Sequence, residues 1–155
     1  KPHIETRATA EGATLNSGVV RLRVDEQTGG ITELSMPGID GNFADTSGGE
    51  SLNDYRYFIG DNPAKAQRNG PVKISVGERG PLVASLIVES AAPGCEQLRR
   101  ELRVVAGGDY VEIINLVAKT RLAAASYKKP AGKESLNFAY PFNVPDGEML
   151  LHIPL

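Results

Sequence analysis

Apolar and polar residues alternate with period two along most of this chain, the pattern of strands with one buried face. In Val20-Arg21-Leu22-Arg23-Val24 three apolar side chains point one way and two arginines the other. Asp25-Glu26-Gln27-Thr28-Gly29-Gly30, rich in residues that tolerate positive φ, turns this run into Ile31 to Met36, and the two runs predict a hairpin. Val72 to Val76 alternates cleanly. Leu82 to Val88 is apolar on both faces, which predicts a central strand covered on both sides, and Tyr110 to Val117 is similar. Leu136, Phe138, Tyr140 and Phe142 form another one-faced stripe, and Met149, Leu151 and Ile153 form the last. Between them lie turn signals such as Asn69-Gly70-Pro71, Arg79-Gly80-Pro81, Pro93-Gly94 and Gly107-Gly108-Asp109.

Gln97 to Val105 fits two templates. Leu98, Leu102 and Val105 make a helical face, whereas Leu98, Arg100, Leu102 and Val104 make a strand face with one polar exception. The segment is short and bounded by Pro93-Gly94 and Gly107-Gly108, which decides for a strand. Lys119 to Ser126 is the other segment with helical composition. Pro37 to Asp54 and Gly60 to Pro71 read as long irregular connections, either surface insertions or functional loops, with surface insertions the simpler account. About nine strands and almost no helix predict an all-β fold, an antiparallel sandwich or barrel.

The size of the chain, 155 residues, fits one domain over 1–155, and a chain of this length can bury roughly 70% of its extended surface. The first residues, Lys1-Pro2, and the apolar last ones, Leu150 to Leu155, predict a fragment of a longer polypeptide. Seventeen basic and nineteen acidic residues leave a net charge of −2, which argues against a nucleic-acid or membrane-surface partner. No apolar run approaches the ~20 residues of a membrane-spanning helix. The single cysteine, Cys95, excludes an internal disulfide and a cysteine-based zinc site.

Candidate chemistry is sparse. His3 and His152 lack the close spacing of a zinc motif, and Asp40 to Asp45 lacks the downstream oxygen donors of a calcium loop, so no metal site is expected in this chain. Glycoside hydrolysis generally needs two carboxylates across the scissile bond. Among nineteen acidic residues none shows a catalytic spacing, and Glu134, before the aromatic strand, is the one to watch. Its simpler account is a strand-end charge paired with Lys133 or an arginine. Asn53-Asp54-Tyr55-Arg56-Tyr57-Phe58 places two tyrosines on one face beside Arg and Asp, the ingredients of a sugar site. The same residues suit a core strand whose tyrosine hydroxyls are satisfied locally, and that account is preferred.

Two stretches resemble a known family. Leu15 to Leu34, with its Asp25-Glu26-Gln27-Thr28-Gly29-Gly30-Ile31 turn, resembles the strand-turn-strand that opens the β-sandwich of retaining α-mannosidases of glycoside hydrolase family 38. Lys133-Glu134-Ser135-Leu136-Asn137-Phe138-Ala139-Tyr140-Pro141-Phe142 is similar to a later strand of that sandwich, and Leu98 to Val105 and Asp109 to Val117 look like its paired strands. The first motif also occurs in other galactose-mutarotase-like sandwiches. The resemblance implies a partial galactose-mutarotase-like supersandwich from a multidomain hydrolase. It also implies that the nucleophile, the acid/base and the zinc belong to an upstream domain of the parent protein. This chain would then be inactive alone, hold no cofactor, and pack on the catalytic domain of the same polypeptide, lending a loop to the sugar pocket; Tyr55, Arg56, Tyr57 and Glu134 are the residues to test for carbohydrate contact. A free-standing carbohydrate-binding or structural module is the alternative. A sugar mutarotase or epimerase would need both histidines to converge on a Glu.

Overall fold

A computed structural model describes residues 6–121, 133–144 and 147. The described residues form ten antiparallel strands and one short 3-10 turn, Pro63–Lys65, with no α-helix among them. The strands are β1 (Thr9–Glu11), β2 (Thr14–Asn16), β3 (Arg21–Val24), β4 (Ile31–Ser35), β5 (Asp54–Ile59), β6 (Val72–Arg79), β7 (Val83–Ala92), β8 (Cys95–Val105), β9 (Glu112–Lys119) and β10 (Glu134–Ala139). They assemble as two layers, an antiparallel β-sandwich. One layer is the sheet β6-β7-β8-β9. The other is split into β1-β2-β3-β4 and the pair β10-β5, joined where Ile31 and Leu52 exchange backbone hydrogen bonds at 2.8 and 3.1 Å.

The predicted hairpin is β3–β4, with Leu22 opposite Leu34. Its turn is held by Asp25, whose Oδ1 accepts from the amides of Gln27 (2.9 Å) and Thr28 (2.7 Å). Those amides hold the Asp25 carboxyl below the usual carboxylate range. The ambiguous segment is a strand. In β8 Leu98, Arg100, Leu102 and Val104 all face inward and are buried, while Val105, which a helical face would need inside, is exposed.

The sandwich contains two apolar cores. In the larger, Leu15, Leu22, Val24 and Ile31 of the first layer meet Leu86, Val88, Leu102 and Val104 of the second. In the smaller, Tyr55 and Tyr57 of β5 meet Ala92 and Leu98, with Leu136, Phe138 and Val117 packed around them. Fully burying a Leu or Val side chain is worth about 1.5–3 kcal/mol, so the paired faces hold the layers together.

Two expectations change. Among the described residues, β9 lies at one end of its sheet and not between two strands, Leu116 is 52% exposed, and Tyr110 lies outside the strand. β1 and β2 are strands that the hydrophobic pattern alone did not mark, because each is three residues long. The two long connections are irregular as expected, apart from the 3-10 turn and single bridges such as Ala44 to Phe142. His3, His152, the Met149-Leu151-Ile153 stripe and the part of Lys119 to Ser126 beyond Arg121 lie outside the described residues.

Candidate functional site

Between the two cores lies a polar junction built on Arg100, the one polar residue on the inner face of β8. Its side chain is fully buried. Nη2 donates to the Thr28 carbonyl at 2.8 Å and Nη1 to the Asn53 carbonyl at 3.3 Å. Burial pulls the guanidinium down to about 10, with Asp54 opposing, so the group is charged at neutral pH. Asp54 lies 3.9 Å from Arg68 and accepts from the Ser51 amide at 3.1 Å, while its own burial raises its pKa.

The glycines of the β3–β4 turn form the wall of this junction. Gly29 has φ +73°, and a Cβ there would overlap the Arg100 guanidinium and Val88; a Cβ on Gly30 would overlap Asp54 and Ser51. Asn53, with φ 64°, stands at the centre. Its amide pairs reciprocally with that of Asn115 (3.0 and 2.8 Å), and its Oδ1 also accepts from the Tyr140 hydroxyl at 3.0 Å. The network ties the turn, β5, β8 and β9 together. Arg100 and Asp54 are closed off from solvent, so these two cannot touch a solute as they stand.

The four residues expected from the sequence fall on opposite sides of β5. Tyr55 and Tyr57 point into the smaller core. The Tyr55 hydroxyl donates to the Pro93 carbonyl at 2.5 Å and lies 3.1 Å from Cys95 Sγ, and its ring meets Phe138 edge-on at 5.8 Å. The Tyr57 hydroxyl donates to Glu134 Oε2 at 2.7 Å. Burial and then Glu134 push Tyr57 up to about 12. These are core tyrosines with locally satisfied hydroxyls, and neither ring is a surface platform.

Glu134 is paired, but with Lys119 at the end of β9 rather than with Lys133 or an arginine. Lys119 first and the Tyr57 hydroxyl second hold its carboxyl below the usual range, which keeps it ionised and unsuited to donate a proton at neutral pH. Arg56 points the other way, outward, and its Nη2 meets Glu50 Oε1 at 2.5 Å. In the Asp40 to Asp45 turn the Asn42 side chain pins the loop to β4, accepting from Leu34 N (2.9 Å) and donating to Thr32 O (2.8 Å).

A groove of about 250 Å³ opens beside β9, lined mainly by apolar residues including Leu34, Met36, Phe43, Tyr110, Tyr140 and Phe142. Tyr110, Tyr140 and Phe142 are 57%, 45% and 55% exposed. The rings of Tyr140 and Phe142 lie nearly parallel at 6.5 Å. Neither the junction nor the groove was singled out by the sequence patterns. The signal for the junction was the lone arginine on an apolar strand face. The signal for the groove was the aromatic stripe continuing past the end of β10.

No protein-family model matches this chain, and no curated protein matches it.

Proposed function

We propose that this chain is a non-catalytic β-sandwich domain of an α-mannosidase-like glycoside hydrolase, and that it packs against the catalytic domain of the same polypeptide. The observation that carries this reading is the aromatic groove beside β9. Tyr110, Tyr140 and Phe142 place three large, half-exposed rings around one concave surface. Contiguous exposed apolar surface of this kind marks contact with another protein surface, and aromatic residues are enriched in such contacts.

Further support comes from the two motifs that resemble the mannosidase sandwich. They are about a hundred residues apart in sequence and neighbours in the fold. Ile31 of the first bonds to Leu52, and Asn53 next to it donates its amide to Ala139 of the second at 2.6 Å. The non-catalytic part of the proposal draws on Glu134, whose carboxylate is already engaged by Lys119 and Tyr57.

The test is immunocapture of the native polypeptide with an antibody against this chain. Its mass and its hydrolysis of an aryl α-mannoside are then measured. The expected result is a polypeptide several times heavier than 16.5 kDa that releases the aryl group. A band at 16.5 kDa, or a heavy polypeptide without α-mannosidase activity, overturns the proposal.

A further inference from the structure

The face of β5 opposite the buried tyrosines has a different chemistry. Arg56 and Phe58 alternate with Tyr55 and Tyr57 and so project from the outer side of the β5–β10 pair. In β10, Asn137 lies directly across from Arg56, and Ser135 across from Phe58. Cross-strand partners share a face, which places an amide and a hydroxyl beside the guanidinium and the ring. Glu50 reaches in from the long connection before β5 to meet Arg56 at 2.5 Å. The connection after β5 returns through the 3-10 turn Pro63–Lys65, capped by Asn62, whose Oδ1 accepts from Ala64 N at 3.0 Å. The connections before and after β5 border an open cavity of about 370 Å³ lined by Glu50, Arg56, Phe58, Pro63, Ala64 and Ala66.

We propose that this cavity is a carbohydrate subsite that holds one neutral pyranose unit; its choice of an α-mannoside rests on the function proposed above. The volume lies in the range of small-molecule sites and suits a single ring. Each sugar hydroxyl both donates and accepts, and an arginine beside a carboxylate offers fixed donors and acceptors side by side. Phe58, half-buried at the cavity wall, supplies an apolar ring of the kind that packs against the C–H face of a pyranose. Glu50 neutralises Arg56, so an anionic ligand would meet a carboxylate at the same place. That balance selects a neutral polyol over a phosphate or a carboxylate.

The experiment titrates methyl α-D-mannopyranoside into the full 155-residue chain by calorimetry and saturation-transfer NMR, with methyl β-D-glucopyranoside as comparison. Saturable binding is expected, weakened about five- to tenfold by Arg56→Gln and by Phe58→Ala. Tyr110→Ser, in the groove beside β9, leaves it unchanged. Phe58→Leu keeps the apolar volume and removes the ring, so it gives the same loss if Phe58→Ala fails to fold. Absence of binding to either sugar, or affinity indifferent to Arg56 and Phe58, overturns the subsite. α-Mannosidase activity of the captured polypeptide together with no binding here leaves the function standing and removes the subsite. Binding of the glucoside alone, dependent on Arg56 and Phe58, keeps the subsite and counts against the mannosidase assignment.

Discussion

Arg100 shows how one residue can organise a fold without acting on a solute. It is a full charge with no solvent exposure, and it holds two backbone carbonyls from segments far apart in sequence. Leaving a buried acceptor without its partner typically costs about 1–3 kcal/mol, and Arg100 serves two such carbonyls. Arg100→Ala is therefore expected to lose about 3 kcal/mol or more, read from urea denaturation midpoints, and Arg100→Lys to recover only part of this, since one ammonium cannot reproduce the guanidinium fork. Glu134 contributes to acid behaviour. Lys119 and the Tyr57 hydroxyl hold its folded-state pKa below the ordinary glutamate value of 4.5, so its stabilising contribution is present above that pH and is lost as pH falls through the folded value. Asp54 acts in the opposite sense, since burial raises its pKa and its contribution declines as pH rises above 3.8. Between about pH 6 and 3 the thermal midpoint of wild type should fall more steeply than that of Glu134→Gln, while Asp54 is common to both. Parallel curves would show that the Lys119–Glu134–Tyr57 contact does not contribute to stability. At this scale the sequence was partly legible. A tyrosine at every second position predicted the buried face of β5, but the partners of each hydroxyl came from Pro93 and from Glu134, up to 77 residues away.

Strands were the most legible elements, because period two is imposed by backbone geometry and needs no knowledge of the partner. Leu98, Arg100, Leu102 and Val104 behave as that period requires, including the arginine that looked like an exception. What the pattern could not supply was position within a sheet. β7 and β9 both carry apolar residues on two faces, yet β7 lies between β6 and β8 whereas β9 ends the sheet. An apolar run records that both faces favour burial; the number of hydrogen-bonded neighbours depends on the order of strands. Backbone hydrogen bonds flanked on both sides open least readily. Amides of β7 and β8 are accordingly expected in the slowest hydrogen-exchange class. Those of β10, paired among the described residues with β5 alone, should open at free energies about 2 kcal/mol or more below them. Equal protection across β8 and β10 would mean that the two layers unfold as one unit.

At the scale of the whole molecule, the sandwich is two apolar cores bridged by a polar junction, with an aromatic groove on one side and a charged cavity on the outer face of β5 and β10. The mass and mannosidase activity of the captured polypeptide are questions of this scale, since they ask what the groove faces. The sequence alone determined the all-β class, most strand positions, the β3–β4 hairpin and the buried alternation of β5, because each follows from local periodicity and turn chemistry. It also contained the glycines of the Thr28-Gly29-Gly30-Ile31 turn, though not their reason, which is the close approach of Arg100 and Asp54. Only the tertiary structure decided that Arg56 meets Glu50, that Glu134 belongs to Lys119, and that β9 ends its sheet among the described residues. These depend on which distant segments meet. Such meetings are set by the packing of two whole layers, not by any spacing along the chain.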